Sequence, residues 1–217
     1  MIKAGIVGCL GHTGEELMGI LLKHPKVKIN YLSDRIDTPK PISEFFPEYK
    51  NKLGLTCLNF DASQAVSSSD IVFLALPHTV SMKIAPLLLS KNMRLIDLSA
   101  DYRIKDFKDY QAWYKVKHTD AQNIKKAVYG LPEIYAAQIK KAKLIANPGC
   151  YPTAFLLAVA PLFKKGVLKA KSIIIDAKSG YSGAGKKPPD DPFWTEIKDN
   201  FKAYNDNYGF LKGDAVI

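Results

Sequence analysis

The chain has 217 residues, 47% of them apolar, and its 31 basic and 21 acidic side chains give a formal net charge of +10. That length and apolar share supply a real core in one large or two small domains and exclude a disordered or fibrous chain. The charge does not imply nucleic acid: the basic residues are nearly all lysines, scattered without an arginine-rich or aromatic-interleaved stripe, and read as a solvated surface suited to anionic, phosphorylated ligands.

In chain order, residues 2–7 form a short apolar run ending in glycines, and 15–23 carry Leu17, Ile20 and Leu21 at helical spacing. The opening is strand, turn, helix, with no signal-peptide apolar region before it. Residues 27–32 make a second strand after His24 and Pro25 stop the helix, and the polar stretch 33–52, broken by Pro39, Pro41 and Pro47, is expected to hold no regular element. Residues 71–76 and 95–98 are apolar strands flanking a helix over 79–91 that Pro86 can kink. A strand over 143–146, a helix from Cys150 to about Lys165 and a strand over 172–177 follow, and from Lys186 onward no closing element is evident. Continuous apolar strands separated by helices predict a parallel sheet buried on both faces. The expected architecture is α/β: a doubly wound, Rossmann-type domain over 1–149, then part of an α+β substrate and dimerisation domain over 150–217. No apolar run approaches the roughly 20 residues of a membrane-spanning helix, since the longest, 154–163, already contains Pro161.

Three segments carry chemistry. The first is Gly8-Cys9-Leu10-Gly11-His12-Thr13-Gly14, placed between strand and helix, where glycines let backbone approach a pyrophosphate and the helix N-terminus supplies N–H donors. Its spacing is G-x-x-G-x-x-G, so a plain tight turn is the alternative. At the end of the second strand stands Ser33-Asp34-Arg35. Asp34 can accept a hydrogen bond from a ribose, whereas Ser33 and Arg35 can hold a 2′-phosphate, and a solvated charged turn competes with both. With phosphorylated ligands the balance favours NADP. Pro77 and His78, after the apolar strand, are placed to line the cofactor crevice, as is His12, though both histidines can equally be surface turn residues; His24 and His118 read as solvated.

The third segment is Asn147-Pro148-Gly149-Cys150-Tyr151-Pro152-Thr153. Asn, Pro and Gly break regular structure, and Pro152 suits a first helical turn, so Cys150 is expected at a helix N-terminus. Exposed N–H groups and the helix dipole there favour a thiolate nucleophile; a structural cysteine that merely packs is the alternative. Cys9, Cys57 and Cys150 form neither a disulfide framework nor a zinc pattern, which points to a reducing cytoplasm and no metal.

Together the segments GIVGCLGHTGEEL, FLALPH, IDLSADYR, YGLPE, IANPGCYPT and DAKSGYSGAG resemble the N-acetyl-gamma-glutamyl-phosphate reductase family, related to aspartate-semialdehyde dehydrogenase, in family order to about Tyr204. The resemblance implies NADPH-dependent reduction of an acyl phosphate through a Cys150 thioester in arginine biosynthesis, by a homo-oligomer acting on a small molecule without nucleic acid or membrane. It implies that Gly8, Gly11, Thr13 and Gly14 cradle the cofactor, that Ser33 and Arg35 hold its adenosine phosphate, and that Ser182 and Gly183 lie near its nicotinamide. Arg103 is implied for a substrate carboxylate or phosphate, and Asn147 and Lys178 for orienting the reacting group. The same chemistry on aspartyl or aminoadipyl phosphate, or a non-catalytic NADP-binding fragment, are the alternatives. One departure stands out: the family follows its Lys-Ala-Tyr-like segment, here Lys202-Ala203-Tyr204, with a histidine motif that supplies the acid/base, whereas this chain reads Asn205-Asp206-Asn207 and carries no histidine after Cys150. The second domain is therefore expected to be truncated.

Overall fold

The computed structural model describes residues 1–168, 173–180 and 201–203. They fall into two compact units, Met1–Asn147 and a second from Pro148 onward.

In the first unit an eight-stranded sheet has the order β3-β4-β2-β1-β5-β6-β8-β7. Its strands are β1 (Ile2–Val7), β2 (Val27–Ser33), β3 (Lys40–Pro41), β4 (Thr56–Leu58), β5 (Ile71–Leu74), β6 (Arg94–Asp97), β7 (Val128–Tyr129) and β8 (Leu144–Ala146). All pairings are parallel except β3 with β4 at the edge. The helices of this unit are α1 (His12–Leu22), α2 (Ile42–Phe45), α3 (Ala62–Ser68), α4 (Ser81–Leu89), α5 (Phe107–Tyr114), α6 (Ala121–Lys126) and α7 (Pro132–Lys141).

Two apolar clusters form because alternate strand residues face opposite sides of the sheet. Ala4, Ile6, Ile29 and Leu32 meet Met18 and Leu21 of α1 and Ile42 of α2. Val7, Val72, Leu74, Leu95 and Leu144 meet Ala65 of α3, Met82, Ala85 and Leu88 of α4, and Ile124 of α6. This is the doubly wound arrangement expected from the continuous apolar strands.

The stretch 33–52 differs from expectation, since it holds β3, α2 and a 3₁₀ turn, Pro47–Tyr49. Its prolines do not exclude these elements because of where they stand: Pro41 precedes the first turn of α2, and Pro47 opens the 3₁₀ turn, positions where a missing N–H costs nothing. Ile42, Phe46 and Tyr49 then bury against α1 and β2.

In the second unit α8 (Cys150–Lys164) is followed by β9 (Lys178–Gly180), paired antiparallel with β10 (Phe201–Ala203). The strand expected over 172–177 is not there: residues 173–177 have no regular structure, and Ile174 is 95% exposed. Ser172 lies outside the described residues. The pairing falls later, on β9, and β10 is an element that weak periodicity from Lys186 onward concealed.

Candidate active site

The turn after β1 is built around glycines with distinct duties. Gly8 has φ +90°, and a Cβ there would stand 2.2 Å from the Ala75 carbonyl oxygen. The Gly8 and Cys9 amides donate to the Ser33 carbonyl at 2.8 and 3.2 Å, tying the turn to the end of β2. A Cβ on Gly14 would lie 2.3 Å from the Gly8 carbonyl oxygen, so α1 packs directly on the turn. Gly11 is the opposite case: exposed with His12 and Thr13, its Cβ would meet nothing nearer than 3.8 Å. Gly11 precedes α1 without a side-chain cap. An uncapped helix N-terminus beside an open glycine fits a pyrophosphate, which takes its hydrogen bonds from such N–H groups. The turn also lies where the strand order diverges from β1 to β2 on one side and β5 on the other, the switch point at which open α/β sheets bind ligands.

At the end of β2 the three residues separate. Ser33 is fully buried, and its Oγ has no partner among the described residues. Asp34 is half-buried and turned back: Oδ2 accepts from the Leu10 amide at 2.8 Å and Oδ1 from the Arg35 amide at 2.7 Å. Arg35 is exposed. Of the two residues assigned by resemblance to an adenosine phosphate, the structure leaves only Arg35 on the surface.

Beyond the C-terminal ends of β5, β6 and β8, His78, Arg103 and Asn147 come together. The Arg103 guanidinium donates from Nε to the Asn147 carbonyl at 2.8 Å and from Nη2 to the Leu98 carbonyl at 2.9 Å, while the Asn147 amide donates to the Asp97 carbonyl at 2.8 Å. Pro77 and His78 are exposed. His78 Nδ1 accepts from the Ala100 amide at 3.1 Å, so the neutral ring carries its proton on Nε2. Although His78 keeps exposed surface, partial enclosure, and secondarily the Arg103 charge, lower its pKa.

Behind this edge lies a buried polar network that sequence reasoning missed. Asp97 accepts from the Ser99 amide and hydroxyl at 3.1 and 2.8 Å, and burial pushes its carboxyl up to about 6 against the opposing pull of these Ser99 bonds. Asp101 accepts from the Thr79 amide at 2.7 Å, the Met82 amide at 2.9 Å and the Tyr110 hydroxyl at 2.9 Å. His118, expected to be solvated, is buried instead. Its ring sits edge-on among Tyr102, Phe107 and Tyr110, its Nε2 bonds the Asp101 carbonyl at 2.8 Å, and the Asp120 amide donates to its Nδ1 at 3.0 Å. Burial lowers its pKa, so it packs as a neutral ring. The usable signal was its aromatic company in Tyr102, Phe107 and Tyr110; a lone histidine among lysines hid it.

In the second unit Cys150 is the first residue of α8 and is exposed. Gly149 has no side chain to cap the helix, whose first internal bond runs from the Thr153 amide to the Gly149 carbonyl at 3.0 Å. Lys178 pairs with Asp176, and its carbonyl accepts from the Tyr151 hydroxyl at 2.9 Å. Tyr151, Phe155, Ile175 and Lys178 line a small pocket. Ser182 and Gly183 lie outside the described residues. Among those described, no group of three or more His, Cys, Asp or Glu is placed to hold a metal ion.

Comparison with known proteins adds the following. The family description "Semialdehyde dehydrogenase, NAD binding domain" matches residues 3–142, and "Semialdehyde dehydrogenase, dimerisation domain" matches 150–207. The N-acetyl-gamma-glutamyl-phosphate reductase of Alkaliphilus metalliredigens is 46% identical over 205 residues, covering 94% of this chain and 59% of its own length. That of Ruthia magnifica is 45% identical over 215 residues, covering 99% and 63%. The chain thus spans about three fifths of the curated relatives it matches. Among solved structures, aspartate semialdehyde dehydrogenase II from Vibrio cholerae superposes with a TM-score of 0.57 at 17% identity, over 95% of this chain and 56% of that one. Aspartate semialdehyde dehydrogenase with NADP from Candida albicans gives 0.56 at 17%, over 76% and 47%. At such identities the likeness is one of fold.

Proposed function

The chain belongs to the semialdehyde dehydrogenase family, and on that premise we propose that it reduces N-acetyl-gamma-glutamyl phosphate to the semialdehyde with NADPH, releasing phosphate through a Cys150 thioester, in the cytoplasmic synthesis of arginine. The observation that carries this reading is Cys150 at the uncapped start of a 15-residue helix. The identities of 42–46% to curated acetylglutamyl-phosphate reductases support that acyl group over aspartyl or aminoadipyl phosphate.

NADPH, when bound, supplies the hydride. The exposed N–H groups about Gly11 and the start of α1 hold its pyrophosphate, and Arg35 takes the adenosine 2′-phosphate that Asp34, committed to Leu10 and Arg35 amides, does not. His78 presents its Nε2–H at the C-terminal end of β5, where it serves as a donor to the cofactor rather than as a base. Cys150 Sγ attacks the acyl carbonyl, the carbon–oxygen bond to phosphate breaks, and a thioester forms. N–H groups at the start of α8 stabilise the oxyanion that develops. Arg103, with its Nε and one Nη committed to carbonyls, retains N–H groups for a substrate oxyanion. The dimerisation-domain match over 150–207 supports a homo-oligomer.

The test is phosphate-dependent oxidation of N-acetylglutamate semialdehyde by NADP, run beside NADP binding by fluorescence. Binding with turnover that Cys150→Ser abolishes supports the reading. Binding without turnover makes this chain a nucleotide-binding fragment.

A further inference from the structure

Cys9 and Cys57, 48 residues apart in the chain, bring their sulfurs to 3.4 Å. Both are fully buried and neither belongs to the proposed chemistry at Cys150. Their position is what gives the contact meaning. Cys9 lies inside the glycine turn, and Cys57 lies on β4, paired with Leu32 at the end of β2. The sulfur pair therefore joins the turn to the edge that bears Asp34 and Arg35.

We propose that Cys9 and Cys57 are a redox modification site: a small peroxide oxidant closes them to a reversible disulfide that displaces the glycine turn and weakens dinucleotide binding. The disulfide itself is independent of the function proposed above, and its effect on NADPH rests on that reading.

The chemistry balances within the pair. The Cys57 sulfur attacks one oxygen of hydrogen peroxide, the O–O bond breaks, hydroxide leaves with the thiol proton as water, and Cys57 becomes a sulfenic acid. The Cys9 sulfur then attacks the Cys57 sulfur, the S–S bond forms, and the sulfenic oxygen leaves as a second water. Two thiols lose two electrons to one peroxide. Cys57 is the better first nucleophile, because its contact with the Cys9 sulfur lowers its pKa, whereas that same contact and burial push the Cys9 thiol up. Peroxide is water-sized and needs only a local opening to reach them.

Closing the bond moves the turn because there is no slack to absorb it. A disulfide needs sulfurs about 2.05 Å apart, against 3.4 Å here. The Cys9 backbone is also packed closely on α1, where only the missing side chain of Gly14 makes room for it: a Cβ there would lie 2.7 Å from the Cys9 Cα. Drawing Cys9 toward β4 strains the bonds of the Gly8 and Cys9 amides to Ser33 and of the Leu10 amide to Asp34, the three that hold the turn in its cradle form.

The experiment uses the full chain with Cys150→Ser, which removes the exposed thiol. After hydrogen peroxide, alkylation under denaturing conditions and peptide mapping, the expected result is a linked Cys9–Cys57 peptide pair that dithiothreitol releases. NADPH affinity by fluorescence titration falls about tenfold or more on oxidation and returns on reduction. Cys57→Ser and Cys57→Ala in the same background give no linked pair and no peroxide effect on NADPH affinity. Recovery of both cysteines as alkylated thiols overturns the proposal. A linked pair with unchanged NADPH affinity overturns the coupling. Failure of the reduced chain to bind NADPH removes the nucleotide reading, and the coupling with it, while leaving the disulfide result to stand on its own.

Discussion

The Asp101 carboxylate accepts the Thr79 amide at 2.7 Å and so holds a β-branched residue at φ +71°, a conformation that side chains of this type avoid. The same buried carboxylate takes the Met82 amide and the Tyr110 hydroxyl, which places the His78 turn at the end of β5 and starts α4 two residues later than its apolar spacing suggests. Asp101→Ala leaves these donors unmet and destabilises the chain by about 3 kcal/mol or more. Thr79→Gly relieves the strain and stabilises it by about 1 kcal/mol, in urea unfolding monitored by circular dichroism. Loss of stability in Thr79→Gly contradicts this account of the turn.

Asp97 gives a pH signature. Its folded carboxyl is raised to about 6 from an ordinary 3.8, chiefly by burial, so the folded state holds this proton more tightly than the unfolded chain. Stability from this group is full below about 3.8 and is lost as pH rises through 6, on the order of 2–3 kcal/mol in all. Asp97→Asn keeps an acceptor for Ser99 without the charge. The difference in Tm between variant and parent grows in the variant's favour from pH 4.5 to 7, then levels. A difference constant across that range sinks the assignment.

The glycine turn separates folding from binding. Gly14→Ala forces a Cβ against the Gly8 carbonyl and lowers Tm by several degrees. Gly11→Ala meets nothing closer than an ordinary contact at 3.8 Å, so Tm is preserved while NADPH affinity by titration falls about tenfold or more, because the methyl stands where the pyrophosphate approaches. Unchanged affinity in Gly11→Ala moves the phosphates elsewhere.

Arg35 decides between cofactors. Arg35→Ala lowers NADPH affinity about tenfold and leaves NADH affinity within about twofold, since only the former carries a 2′-phosphate. Equal loss for both contradicts a phosphate contact at this edge.

Much of this was legible in sequence where one signal dominated. β5 is an uninterrupted apolar run, β1 is apolar but for Lys3, β6 has Leu95 and Ile96 at its centre, and α1 and α8 have clear spacing and helix-start residues. What escaped had other causes. β4 and β7 are three and two residues long, too short for any periodicity. α3, α5 and α6 are announced only by their caps, Asp61, Asp106 and Asp120, each accepting from an amide of its helix's first turn. The network of Asp97, Asp101 and His118 is formed by residues whose polarity reads as surface until folding buries them together. Cys9 and Cys57 carry no spacing rule, because they meet only through the end of β2, which the glycine turn contacts at Ser33 and β4 pairs at Leu32.

The most direct test of the central claim is to incubate the chain with N-acetyl-gamma-glutamyl phosphate in the absence of NADPH and map its peptides by mass spectrometry. The account predicts an acetylglutamyl adduct on Cys150 that hydroxylamine removes, formed with release of phosphate and absent from Cys150→Ser. An adduct on another residue, or phosphate release undiminished in Cys150→Ser, contradicts it.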